Sequence, residues 1–200
     1  MLKNQHIKII KPLIFLVALL PLAMVAQGIY MRTLVNPLEG IIHTSGEWAL
    51  RFLLITLAMT PLKEITGSAH WIKFRRMTGL YALFYASLHF MAWIGLDQLF
   101  IVEEIIESII DRPYILFGTT ALLLMIPLGV TSTKGMIRKL GKRWKKLHQL
   151  VYPIAILGVV HFVLLVKKDL TEPLIYAAIL LALLGWRARL RVAKIRKRHV

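Results

Sequence analysis

The sequence predicts an all-α integral membrane protein built as a bundle of six transmembrane helices. Three observations predict it. Hydrophobic residues make up 58% of the 200, and mean hydropathy is +0.67. Lys and Arg nevertheless outnumber Asp and Glu by 26 to 10, so the apolar content has to be gathered into blocks rather than spread through a soluble core. Runs without Asp, Glu, Lys or Arg then recur at the length that crosses a hydrocarbon core, about 20 residues.

The first run covers residues 12–31. It is long for a signal-peptide core, and Met24-Val25-Ala26 is a poor cleavage site, so it is expected to be retained as a helix. The second, 47–63, spans only if Trp48, Ala49 and Leu50 join the apolar stretch 52–62 while Arg51 snorkels to the headgroups. The third and fourth, 77–96 and 113–133, are clear. Between them, residues 99–111 interleave apolar residues with Glu103, Glu104, Glu107 and Asp111. This is the pattern of a helix lying in the interface plane, its acidic face solvated or touching a partner. The fifth run is 147–166, where Ala155 and Gly158, near His161, either let a macrocycle approach the backbone or serve as ordinary small packing residues. The sixth, 173–186, is short, opening with Pro173 at a first helical position and closing with Trp186 before Arg187. Together they describe one transmembrane domain over residues 1–200.

Basic residues orient the bundle. With the N-terminus inside, 21 of the 26 Lys and Arg fall on the cytoplasmic side, leaving Arg32, Arg51, Arg112, Lys167 and Lys168 outside. The expectation is N-in, C-in, with six crossings. The basic tail 187–198 reads as a leaflet anchor drawn to anionic lipid, not as a nucleic-acid site.

Histidines inside apolar runs are costly and ask for a function. On this topology the third and fifth helices share a polarity. His89 lies 14 residues beyond Arg75, about 21 Å higher, and His161 lies 13 residues beyond His148, about 20 Å higher. His89 and His161 thus share a level near the outer face, where two imidazoles from opposite sides suit a haem iron. The chain has no Cys, so disulfides, iron–sulfur clusters and covalent haem attachment are excluded, and any haem b is held noncovalently between helices 3 and 5. His148 is a candidate for a second haem at the inner level, facing Arg75 or Arg76. On a continuous helix, however, His148 and His161 stand about 140° apart, a poor fit to one shared face. His6, His70 and His199 sit in polar, basic surroundings and read as solvated, and His43 marks an outer mouth. The competing reading is a non-redox polytopic protein, a small transporter or scaffold whose histidines relay protons or pack.

A resemblance is carried by His43-Thr44-Ser45-Gly46-Glu47-Trp48-Ala49-Leu50, Thr60-Pro61-Leu62, Arg75-Arg76-Met77-Thr78-Gly79-Leu80, Ala86-Ser87-Leu88-His89, Arg112-Pro113-Tyr114, Thr131-Ser132-Thr133 and the stretch Leu140-Gly141-Lys142-Arg143-Trp144-Lys145-Lys146-Leu147-His148. In order and spacing these resemble the MsrQ family of the ferric-reductase-like transmembrane superfamily. The resemblance implies a haem b membrane subunit passing electrons to a periplasmic molybdenum-containing methionine sulfoxide reductase, MsrP, in protein repair. It also implies FMN, and the quinone pool or a cytoplasmic flavin reductase as donor. Larger relatives offer two histidines on each of two helices, whereas here Arg75 and Arg76 stand where an inner partner of His148 is expected. Either His148 holds a haem with a weak or absent second ligand, or the arginine pairs with propionates or a flavin phosphate. The chain lacks soluble nucleotide and flavin domains, so a separate donor is expected. Lacking a molybdopterin-type fold, it is not expected to reduce methionine sulfoxide itself.

Overall fold

A computed structural model describes residues 4–196. Lys3, Lys197, Arg198 and His199 lie outside the described residues, as does the side chain of His6. All regular structure among the described residues is helical: α1 Asn4–Val17, α2 Leu20–Tyr30, α3 Pro37–Thr66, α4 Arg75–Ala92, α5 Val102–Asp111, α6 Pro113–Val130, α7 Lys134–Leu140, α8 Lys142–Leu147, α9 Val151–Leu165 and α10 Thr171–Arg196, with short 3₁₀ and π turns between. Five stretches are long and apolar enough to cross a membrane, namely Ile9–Tyr30, Arg75–Asp97, Pro113–Val130, Lys142–Leu165 and Thr171–Ala193. The protein is therefore multi-pass.

The first crossing is broken between α1 and α2. Pro21 has no N–H to return to the Val17 carbonyl, and Leu22 N–H bonds Leu19 O instead of Ala18 O. The freed carbonyl is taken by Tyr85, whose hydroxyl donates to Ala18 O at 2.6 Å, while Tyr81 donates to Phe15 O at 2.8 Å. Both tyrosines stack on Phe52, tying α1, α3 and α4 together. Tyr85→Phe should leave a buried carbonyl unsatisfied and cost about 1–3 kcal/mol. Thermal unfolding in detergent measures it, and an unchanged midpoint would show the bond to be redundant.

α3 departs from the expected 47–63. It begins ten residues earlier, because Asn36 Oδ1 accepts from Glu39 N–H at 3.3 Å and Pro37 opens the first turn, and it ends on Gly67 at φ +67°. Its modest apolarity has a structural cause. Leu50, Phe52, Leu53, Leu54, Leu57 and Met59 are buried against other helices, so the helix shows little of itself to its surroundings. Arg51, expected to snorkel, is instead held internally, donating to Glu47 Oε2 one turn back and to the Tyr176 hydroxyl, both at 2.7 Å. Thr56 donates to Phe52 O at 2.7 Å and meets Thr78 of α4 at 2.9 Å.

Two further boundaries moved. The sixth helix, expected over 173–186, runs Thr171–Arg196, since the basic residues that end the apolar run are themselves good helix formers. The fifth, expected from 147, starts at Val151 after a 3₁₀ turn at His148–Leu150. That turn removes His148 from the continuous helix on which its angle to His161 was reckoned. The tightest pairings are antiparallel, α3 with α4 and α6 with α9.

A two-histidine cavity as candidate functional site

α4 and α9 bring His89 and His161 together. Their ring centres are 6.0 Å apart with the planes at 78°, and both line a cavity of about 410 Å³. Each imidazole is fixed by a backbone carbonyl from the helix paired with its own. His89 Nδ1 lies 2.9 Å from Ile42 O on α3, and His161 Nδ1 lies 2.5 Å from Tyr114 O on α6. A carbonyl only accepts, so Nδ1 carries the proton in both rings and Nε2 keeps its lone pair. This is the tautomer of a metal ligand.

Glycine makes the approach feasible. A Cβ at Gly118 would stand 2.8 Å from His161 Nδ1, and one at Gly46 would stand 3.0 Å from His89 Nδ1. Each glycine sits one turn after the carbonyl that orients the ring, and each histidine lies 47 residues beyond that carbonyl. The two halves thus repeat one another. α3–α4 and α6–α9 run in the same sense and place the same three-part device on opposite sides of the cavity. Elsewhere the wall is mostly apolar, with Leu50, Leu53, Leu122 and Met125, and His43, Glu47, Asp97, Arg112 and Thr119 add polar groups to it. A π turn, Trp93–Asp97, follows α4 and adds Trp93 to the lining.

The arrangement fits a haem. No group of three or more His, Cys, Asp or Glu that could hold a metal ion converges among the described residues. A haem iron brings four in-plane donors and needs two axial ones. A bond of about 2.0–2.1 Å from imidazole nitrogen to a first-row metal, made on both sides, requires ring centres roughly as far apart as these. The volume also lies within the range of about 300–1,000 Å³ typical of cofactor pockets.

The other candidates lie elsewhere. His148 does not line this cavity. Thr131 spends its proton on Pro127 O at 2.6 Å, so His148 Nε2–H donates to Thr131 Oγ1 at 3.1 Å. Trp144 stacks on the ring at 4.0 Å and donates to Thr131 O at 3.0 Å. Arg75 is half-buried and donates to Thr60 Oγ1, whereas Arg76 is exposed. The repeat extends here too, with Arg75 against a threonine near the end of α3 and His148 against one just after α6. His43 is exposed and pairs with Glu39 at 3.6 Å. His70 is not simply solvated, for its Nδ1 is buried without a partner.

Residues 45–159 match the ferric reductase like transmembrane component family. The protein-methionine-sulfoxide reductase heme-binding subunit MsrQ of Xanthomonas campestris pv. campestris is 52% identical over 166 residues, 82% of this chain and 76% of the relative. Its counterpart in Xanthomonas euvesicatoria pv. vesicatoria is 50% identical over 184 residues, covering 88% and 84%. That of Rhodospirillum rubrum is 48% identical over 188 residues, covering 93% and 89%. The chain belongs to the MsrQ family.

In this MsrQ-family chain, sequence reasoning found the two histidines but missed their orienting carbonyls, Ile42 and Tyr114, because a carbonyl has no residue signature. Gly46 and Gly118 were findable. Each is a glycine inside a helix, a position that costs roughly 0.5–1 kcal/mol relative to Ala unless close approach requires it.

Proposed function

We propose that this chain is a b-type cytochrome subunit that carries electrons across the bacterial inner membrane to the periplasmic molybdenum-containing reductase MsrP, which repairs oxidised methionines. The observation that supports this most is the pair of carbonyl-oriented imidazoles in a mostly apolar cavity, found in a chain of the MsrQ family. Haem held there supplies reversible one-electron chemistry at iron. His89 and His161 would hold its iron. The Ile42 and Tyr114 carbonyls hold both rings in the ligating tautomer and strengthen nitrogen as a donor. Leu50, Leu53, Leu122 and Met125 would keep water from their part of the site.

On this reading α3 is the sixth crossing, both termini are cytoplasmic, and the bundle is one domain. The histidine pair then lies toward the periplasm, and Arg75 and His148 lie at the donor side with quinol or a cytoplasmic flavin reductase. With the inside negative, one electron moved outward gains about 2.3 kcal/mol per 100 mV, so delivery needs no coupled pump. FMN belongs to the donor side, with Arg75 as its anion contact and exposed Arg76 beside it. The basic tail rests on anionic lipid. His148, a candidate second ligand, must first release Thr131 to present Nε2.

Reconstituted vesicles test the route. Reduced from the face bearing Lys142, Arg143, Lys145 and Lys146, the haem should reoxidise when MsrP and methionine sulfoxide are supplied on the opposite face. Reoxidation by sulfoxide without MsrP would overturn the division of labour. Reoxidation only with MsrP on the basic face would overturn the topology. A purified chain with no reducible Soret and α bands would return the reading to a non-redox transporter or scaffold.

A further inference from the structure

The device that orients His89 and His161 is duplicated, but the charge beside it is not. Glu47 directly follows Gly46 and lines the cavity, whereas Thr119 takes the same place after Gly118. Five residues after Gly46 stands Arg51, and five after Gly118 stands Leu123. A carboxylate and a guanidinium are thus present in one half of the repeat and missing from the other. Orienting the rings does not require them, because the second half does so without them. Taking two charges partly out of water is costly, which calls for a reason.

The pair has a direction. Arg51 Nη2 donates to Glu47 Oε2 at 2.7 Å and Arg51 Nε donates to the Tyr176 hydroxyl on α10, also at 2.7 Å. The guanidinium carbon lies 5.0 Å from the centre of the Trp48 ring, a third contact that fixes it. Glu47 lines the cavity and Arg51 does not, so the negative end of the pair is the nearer one to the two imidazoles. Asp97, Arg112 and His43 also line the wall, but they are exposed, where water and salt screen them. Glu47 is half-buried, and its charge is felt more fully inside the cavity.

We propose that Glu47, held in place by Arg51, lowers the midpoint potential of a haem in this cavity. The inference rests on the proposed ligation by His89 and His161. Reduction adds one electron and removes one unit of positive charge from the iron centre. A fixed carboxylate beside it therefore favours the ferric form and makes the ferrous form a stronger one-electron donor. Arg51 acts with the opposite sign from further away and offsets only part of this. At an effective dielectric of about 20, a unit charge about 10 Å from a redox centre changes a one-electron equilibrium roughly tenfold. Glu47 is a positioning charge that sets how readily the electron leaves.

The test is an optical redox titration of full-length, haem-loaded protein in phosphatidylcholine nanodiscs, at about pH 8, where carboxylates are ionised. E47Q is expected to favour the ferrous form roughly tenfold over the wild type, an upward shift of about 59 mV for one electron. E47D keeps the charge and should titrate close to the wild type. R51Q, which leaves the carboxylate without its counterion, should shift downward. E47Q titrating at or below the wild type would overturn the inference, and so would E47D moving as far as E47Q, because loss of shape would then explain both. R51Q moving upward with E47Q would likewise mark disturbed packing and overturn it. If R51Q does not retain haem, the contrast of E47Q with E47D decides alone. An unchanged α band in each variant reports that ligation is intact. A wild type without reducible haem bands would sink the cytochrome reading and this inference together, whereas a haem-loaded wild type with an unmoved E47Q would sink this inference only.

Discussion

Substituting Ala for His89 or His161 is expected to remove most of the low-spin haem spectrum, each variant leaving iron without one of its two axial nitrogens. The effect should be equal from either side, because both rings are presented in the same way, Nδ1 on a carbonyl and the ring lining the cavity. Optical and electron paramagnetic resonance spectra of purified variants make the comparison. A variant with a wild-type spectrum would show that its histidine is not a ligand. His148→Ala should spare this signal, since His148 lies outside the cavity and bonds Thr131 instead. Its deficit should be slower reduction from the basic side.

The second large effect is expected from a single methyl group. In Gly118→Ala the new carbon would stand 2.8 Å from His161 Nδ1, a distance that Cβ atoms essentially never adopt. The ring must turn or α6 must retreat, and either movement breaks the bond to Tyr114 O. Loss of such an orienting partner typically costs about 10–100-fold in metal affinity. Gly46→Ala, at 3.0 Å from His89, should be milder. Gly158→Ala is the control on the same cavity, because its nearest neighbour is Leu50 Cδ1 at an ordinary 3.6 Å. Haem per polypeptide after purification is the measure, and equal retention in Gly118→Ala and Gly158→Ala would refute the clearance role.

Much of this was legible in the residues, and what was not has physical causes. Uncharged runs announced the long apolar helices, since a bilayer demands contiguous apolarity. α3 was read too short because its charges are satisfied within the protein, Arg51 by Glu47 and Tyr176, so charge content no longer reports where the helix ends. Its start was nonetheless written in Asn36 and Pro37. The level shared by His89 and His161 followed from counting residues along two helices of like polarity. The angle between His148 and His161 did not, because a 3₁₀ turn lies between them and a helical wheel assumes one regular screw. Arg187 was read only as the edge of a lipid anchor. Its bond to Leu57 O depends on α10 continuing past the apolar run, which no local pattern encodes.

The duplicated carbonyl, glycine and histidine have a consequence for how the pocket is filled. A flat ring with unlike edges, set between two equivalent donors, can be turned over about the line in its own plane that interchanges those edges without either donor registering the change. On the proposed ligation, the histidine pair would therefore not select between the two insertion isomers. Selection would fall to parts of the wall that differ between the halves, Trp93 on the π turn where the other half has Leu165, and Arg112. Replacing those two residues should alter the proportion of isomers resolved by nuclear magnetic resonance while leaving the iron's ligation as it was.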